Sequence, residues 1–528
     1  MTKTFICKKD YPVVETTKGK LRGFLFDDVF TFYGIRYARA KRFEMPEEIP
    51  SWEGTVDATG YGYICPILNN PKPSGEHRIQ HRFWPMNENC QYLNVWTNSI
   101  EKGTKHPVIV WFHGGGLSSG SSMEQACYDG TNLAKNEDVV VVTVNHRLNV
   151  FGYTDFSAYG EKFYNSQNVG IADLVASLQW VHDNIAGFGG DPDNVTIVGQ
   201  SGGGWKVTAM GQAPSAKGLF HRAIIMSGAP TPRHDEKPLP SALLAKEIFK
   251  TAGLEEGDME GLQKMPTSLF IRAVNKAGCK FMDEGYDFTW YPKKNDWYEG
   301  MPLDEGNSFD EYFKTVPTMV GSVIAEMTAR GFDKPKSEMT AEEKKAVLAT
   351  RFGDRSDEVV AEFKKAYPSK DEVDAVQVNV RANTKLYING KAEVSSAPTY
   401  AYVFAYNFDI ENGTAAWHCS DIPFLFQTVD VQPCMATGDP DLLKLQKLYS
   451  EAFINFARTG NPNGGELPHW DPVKAGEGNT MVFDVKTEQK TNYDDQLDTV
   501  ITDICGPRKF KFRSFHDEDD DAGRDWMY

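Results

Sequence analysis

Four residue patterns in this 528-residue chain carry reactive chemistry, and they stand far apart in the sequence. Ser201 lies in Gly199-Gln200-Ser201-Gly202-Gly203, a hydroxyl flanked by glycines. Serine is a weak nucleophile near neutral pH unless a histidine takes its proton and a carboxylate orients that histidine. Downstream, Glu326 in Ile324-Ala325-Glu326-Met327 offers the acid, and His418 in Ala415-Ala416-Trp417-His418-Cys419-Ser420-Asp421 offers the base. Upstream, His113-Gly114-Gly115-Gly116-Leu117 presents backbone N–H groups unhindered by side chains. Such donors stabilise the negative oxygen of a tetrahedral acyl-transfer intermediate.

Each pattern needs an element to hold it. The β-branched run Val195-Thr196-Ile197-Val198 predicts a strand into Ser201, and Gly204 to Met210 can start a helix after it. Strand, sharp turn and helix are the context in which G-x-S-x-G exposes a nucleophile, and the chain order is then serine, acid, histidine. Val108 to Phe112 predicts a buried strand running into the glycine triplet, Val316 to Gly321 a strand before Glu326, and Thr399 to Phe404 a strand before His418. Asp304 and Glu305 are rival acids, and His146, His182 and His221 rival bases. Of these histidines only His418 follows the acid in the required order, while His113 reads as structural.

With these residues in view, the chain resembles the type-B carboxylesterase and cholinesterase family of α/β-hydrolases, including its bacterial carboxylesterases, over nearly its whole length. Glu88-Asn89-Cys90-Gln91-Tyr92-Leu93-Asn94-Val95 is similar to the family's E-D-C-L-Y-L-N-V motif. Phe32 to Ala38, Val144-Asn145-His146-Arg147-Leu148, Phe188 to Pro192, Gly460-Asn461-Pro462-Asn463 and Trp470-Asp471-Pro472 follow in family order. The resemblance implies an α/β fold with a large, mostly parallel central sheet, helices on both faces and helical cap insertions. It also implies an oxyanion hole from the N–H groups of Gly115, Gly116 and Gly202. Two departures lie at the elbow: Gln200 stands where the family usually has Glu, and Gly202 where it usually has Ala. Trp205 replaces a commonly small residue and either narrows the pocket or packs beneath it.

The motifs run from residue 20 to residue 472 and serve one site, so residues 1–528 read as one domain, interrupted at about 234–315 and 332–390. Charge-rich helical stretches such as Ala341 to Lys364 fill those insertions, which would cap the site. Leu117, Trp205, Phe288, Trp290 and Tyr291 are candidates for the substrate wall, although an aromatic stripe more often belongs to the core. Residues 284 to 307 depart from the family's usual V-D-G-x-x-L-P-like stretch, which puts substrate preference inferred from relatives in doubt.

A net charge of −17 argues against nucleic acid and anionic membrane partners. No segment approaches the ~20 apolar residues of a membrane span, and the first ten residues lack the apolar core of a secretion signal, so a cytoplasmic location is expected. The acidic run Asp517 to Asp521 reads as a solvated tail. The eight cysteines show no metal-ligand spacing, and neither metal nor cofactor is called for. Cys65 and Cys90 match the family pair that is bridged in secreted members and would stay thiols in a reducing compartment. The expected activity is hydrolysis of small carboxylic esters through an acyl-enzyme on Ser201. Amide, carbamate or lactone hydrolysis by the same machinery is an alternative. A non-catalytic cholinesterase-like interaction protein is disfavoured because all three reactive side chains are present. Acyl and alcohol specificity and oligomeric state are not legible.

Overall fold

The computed structural model describes residues 3–68, 81–232, 235–435, 438–506 and 515. Its centre is a 12-stranded sheet. Seven neighbouring strands run parallel: Val140–Val144, His106–Phe112, Gly190–Gln200, Arg222–Met226, Thr318–Val323, Thr399–Phe404 and Asn479–Phe483, in that spatial order. Four antiparallel strands (Tyr92–Thr97, Val29–Arg36, Phe24–Phe26 and Phe5–Ile6) extend one edge, and Glu488–Thr491 closes the other.

The strands are sequence-driven. Side chains alternate across a strand, so Val108, Val110 and Phe112 enter one core with Leu174, Leu178, Val207 and Ala209. Ile109 and Trp111 enter the other with Leu445, Tyr449 and Phe453. Both faces are therefore covered: helices Val169–Asn184 and Gly202–Gly211 on one side, helix Pro440–Thr459 on the other. Strands buried on both faces are apolar or have their polar groups paired: Val140-Val141-Val142-Thr143-Val144 is buried at every position, and the Thr143 hydroxyl accepts from the Asn94 amide at 3.0 Å. Each such valine contributes about 1.5–3 kcal/mol of burial. This is the α/β-hydrolase architecture expected from the sequence.

Strand Thr318–Val323 begins two residues later than Val316, because Pro317 has no N–H to give a ladder. The stretch from Ala341 is two helices, Ala341–Phe352 and Ser356–Ala366, parted at Gly353, whose φ of +55° ends the first. Thr340 and Glu343 close its start as a capping box. The two insertions also hold helices Ser241–Thr251, Thr267–Asp283 and Ala382–Val394. The run 517–521 lies outside the described residues. Among the described residues, no helix is long and apolar enough to cross a membrane.

The chain passes from His106–Phe112 to Val140–Val144 on one side, then crosses back to Gly190–Gln200 on the other. The carboxyl ends of the two strands flanking such a reversal form the natural crevice of an open α/β sheet. His113 and Ser201 are the residues that follow those two ends.

Candidate active site

Ser201 takes φ +56° and ψ −126° between strand Gly190–Gln200 and helix Gly202–Gly211, a backbone conformation rarely adopted outside glycine. Three packing relations hold it there. Its N–H donates to Met226 O of the adjacent strand at 2.8 Å, and its carbonyl accepts from Gly204 N–H at 2.9 Å. A Cβ on Gly203 would stand 2.0 Å from Phe112 O, so only glycine lets the helix start this close to the neighbouring strand. Ser201 itself remains partly exposed.

His418 and Glu326 are brought together from loops 92 residues apart. The imidazole Nδ1 lies 2.5 Å from Glu326 Oε2, with His418 buried and Glu326 partly so. The carboxylate accepts, so Nδ1 carries the proton and Nε2 is the basic nitrogen. The other oxygen, Glu326 Oε1, accepts from Val323 N–H at 3.3 Å. Gln377 ties the two loops from behind: its side-chain oxygen accepts from Arg330 N–H at 3.3 Å and Ala415 N–H at 3.0 Å, and its carbonyl accepts from the Thr328 hydroxyl. Asn379 N–H adds a bond to Ile324 O at 2.8 Å, so the end of the second insertion buttresses the acid.

The ring also meets the elbow. The amide nitrogen of the fully buried Gln200 lies 3.3 Å from His418 Nε2 and 3.5 Å from Nδ1, against the side of the ring that carries both nitrogens. Cys419 Sγ–H donates to the Gln200 carbonyl oxygen at 3.2 Å, fixing the amide from the histidine's own loop. Gln200 thus presents a neutral dipole to the imidazole where a carboxylate would present a charge.

The glycine loop packs directly on the elbow. Gly115 and Gly116 have φ of +81° and +61°, and a tight turn forms as Ser118 and Ser119 N–H donate to Gly115 O at 3.2 and 3.0 Å. A Cβ on Gly202 would lie 2.2 Å from Gly116 O, so the two glycines are in backbone contact. The departure from alanine at 202 therefore has a steric counterpart. Gly202 N–H, at the head of its helix, has no intrahelical acceptor. Behind the loop, His113 is buried and stacked on His146 with ring centroids 5.2 Å apart. Burial, reinforced by the Lys206 amine, holds both imidazoles well below the usual histidine range.

Of the expected wall residues, Trp205 and Tyr291 meet edge to face at 5.9 Å, four residues from Ser201. Tyr291 and Phe288 line a cavity of about 250 Å³ with Tyr153, Gln167 and Pro240. Trp290 is instead packed in the core, 4.7 Å from the Phe288 ring, and Leu117 is likewise buried. Asp304 accepts from the Tyr291 hydroxyl at 2.9 Å, and Glu305 is exposed. Cys65 and Cys90 are buried free thiols, and burial together with contact to Cys65 raises the Cys90 thiol. Among the described residues, no group of three or more His, Cys, Asp or Glu is arranged to hold a metal ion.

Two groups were not anticipated. Asp421, three residues after His418, is fully buried and accepts from Tyr449 OH at 2.9 Å; burial lifts its carboxyl to about 6, with the Glu326 charge adding to the rise. Lys206 is also fully buried, on the elbow helix, with its amine 2.8 Å from His113 O; burial brings its pKa down to about 7. A lysine inside an otherwise apolar stretch, Val207 to Met210 following, is a visible signal, but its burial is decided by neighbours distant in sequence.

Comparison with known proteins agrees with this geometry. The profile of the carboxylesterase family matches residues 10–500. Para-nitrobenzyl esterase of Bacillus subtilis is 30% identical over 90% of this chain and 95% of its own. Phenmedipham hydrolase of Pseudarthrobacter oxydans is 29% identical over 89% of this chain and 94% of its own. Among solved structures, an esterase from the anaerobe Clostridium hathewayi, described as able to hydrolyse aliphatic aromatic polyesters, superposes with a TM-score of 0.89 at 41% identity, covering 95% of this chain and 100% of that one. The chain therefore belongs to the carboxylesterase family and is a carboxylic ester hydrolase built on the α/β-hydrolase fold.

Proposed function

We propose that this enzyme cleaves its esters by double displacement, with Ser201 as nucleophile, His418 as general base and acid, Glu326 as the group that orients the imidazole, and Gly115, Gly116 and Gly202 as the oxyanion donors. The observation that carries this reading is the 2.5 Å contact between His418 Nδ1 and Glu326, made by a ring that also lies against the residue preceding Ser201. Nε2 takes the Ser201 proton as Oγ bonds to the ester carbonyl carbon. The carbonyl π electrons move to oxygen and are met by the three N–H groups. Collapse breaks the bond to the alcohol oxygen, which leaves with the proton from Nε2, and an acyl-serine remains. Water then attacks with the same base, the serine oxygen recovers its proton, and the acid is released. Glu326 stays ionised and stabilises the imidazolium formed in both halves.

The preferred esters carry an aromatic portion. Relatives named for a nitrobenzyl ester and for aliphatic aromatic polyesters support this, and Tyr291, which meets Trp205 of the elbow helix, lines a cavity with Phe288 and Tyr153. Ser201→Ala is expected to abolish p-nitrophenyl ester turnover and labelling by a fluorophosphonate, and turnover in that variant would refute the assignment. A panel of aryl and alkyl esters, an aliphatic aromatic polyester, carbamates, amides and lactones measures the leaving-group range. A higher kcat/KM on carbamates or amides than on aryl esters would overturn the substrate class.

A further inference from the structure

Lys206 is a buried charged side chain whose partners in the fold are backbone carbonyls. It lies on the second turn of the elbow helix, has no exposed surface, and forms no ion pair among the described residues. The charged and titratable groups facing it are His113 and His146 behind the glycine loop, Glu124 beyond Gly120, and the Cys65 thiol. Its amine is turned instead to two backbone carbonyls, 2.8 Å from His113 O and 3.5 Å from Gly114 O. His113 Nδ1–H reaches the second of these as well, at 2.9 Å.

The consequence follows from peptide geometry. In a planar trans peptide the C=O and the next residue's N–H point in opposite directions, so holding one aims the other. Gly114 O belongs to the same peptide as Gly115 N–H. Gly115 O, held by Ser118 and Ser119 N–H, belongs to the same peptide as Gly116 N–H. Ser201 O, held by Gly204 N–H, belongs to the same peptide as Gly202 N–H. All three donor peptides are thus anchored through their carbonyls. Gly115 O also takes the Ser119 hydroxyl at 3.3 Å. At Gly114 O the near anchor is the His113 imidazole at 2.9 Å, reinforced by the Lys206 amine at 3.5 Å, whose shorter bond holds the carbonyl of the preceding peptide, His113 O. Hydrogen bonding to a carbonyl also polarises its peptide and strengthens the N–H on the far side.

We propose that Lys206 is a positioning residue for the oxyanion hole: from the elbow helix it holds His113 O and, together with the His113 imidazole, Gly114 O, fixing the two consecutive peptides that lead into Gly115 so that Gly115 N–H faces the substrate oxygen, and thereby ties the nucleophile and the glycine loop into one unit. Lys206 touches neither substrate nor reacting atoms. The inference rests on the proposed function above, since without an acyl-transfer intermediate there is no oxyanion to meet.

Because such a group acts on the transition state, its loss shows in kcat and not in KM. Lys206→Met, verified as folded by near-ultraviolet circular dichroism, is expected to lose about 10- to 100-fold in kcat on p-nitrophenyl acetate. KM is expected to stay within about threefold, and affinity for a trifluoromethyl ketone, whose adduct carries a tetrahedral oxyanion, to fall by the same factor as kcat. Lys206→Gln, which keeps one donor, is expected to recover part of both. Across whichever of the Met, Gln and Ala variants fold, log kcat/KM and log analogue affinity should fall together with unit slope. A folded variant with kcat within twofold of the parent, or a loss of kcat with unchanged analogue affinity, overturns the proposal. Fluorophosphonate labelling of the parent enzyme separates the two levels: absent labelling refutes the acyl-enzyme reading, whereas normal labelling beside an indifferent Lys206→Met refutes this inference alone.

Discussion

Glu326 grips His418 twice: a carboxylate oxygen lies 2.5 Å from Nδ1, and the Glu326 carbonyl accepts the backbone N–H of His418 at 3.1 Å. The second bond persists when the carboxylate is altered, so the loop stays in register while the ring loses its orienting charge. Glu326→Gln is therefore expected to remain folded, with kcat on p-nitrophenyl esters falling by about 10³- to 10⁴-fold, since an amide at this position favours the wrong tautomer and cannot stabilise the imidazolium. Steady-state kinetics on the purified variant checks this; a fall below tenfold would remove Glu326 from the mechanism.

The contact between Gly202 and Gly116 sets a second expectation. A methyl at 202 would stand 2.2 Å from Gly116 O and 2.4 Å from Gly116 Cα, and both are backbone atoms that must move as a loop. Displacing one oxyanion donor costs about 10²-fold in kcat in comparable sites. Gly202→Ala is expected to show a loss of that order with KM little changed, measured on the same ester. Unchanged kcat would mean that the loop shifts freely and that its N–H groups are not aligned donors.

Gln200 lies against His418, the base of the proposed mechanism, so its charge should matter to the pH profile. A carboxylate in place of its amide, about 3.3 Å from His418 Nε2, would favour the imidazolium and raise the histidine pKa. Catalysis needs the neutral ring, so the acidic limb of the kcat/KM profile should move to higher pH in Gln200→Glu, by about one unit. The profile measured between pH 4 and 9 decides the matter. A shift to lower pH, or none, would show that His418 is not the titrating base.

Asp421 makes stability depend on pH. Burial lifts its folded pKa to about 6, above the ordinary aspartate value of about 3.9, so the folded state holds the proton more tightly. Its linked contribution is fully present below about 4 and lost as pH rises through 6. Asp421→Asn removes this dependence. Relative to the parent its thermal stability should rise between pH 4 and pH 7, by roughly 3 kcal/mol in all. Melting temperatures of both proteins across that range test it, and parallel curves would contradict it.

Much of this was legible because local chemistry left few choices. Thr399–Phe404 forms with the ends read from its sequence, and the strand, serine and helix around the elbow follow from a β-branched run meeting glycines. What escaped depends on packing between distant segments. Trp290 and Phe288 look alike in sequence, yet one is core and the other lines a cavity. Gln377 joins the acid and histidine loops from inside an insertion that carries no motif. Lys206 and Asp421 were present in the segments that defined the site, but burial of a charge is set by the whole surroundings. The break at Gly353 escaped because a charged stretch carries no strong periodic signal to interrupt.

The unusual backbone at the site has a cost of its own. Ser201 at φ +56° and Cys419 at φ +73° each sit where L-residues are disfavoured, at about 1–3 kcal/mol apiece. The surrounding sheet must supply that energy continuously, whether or not substrate is bound. If Ser201 is the nucleophile proposed above, heat resistance and turnover press on its bend in opposite directions.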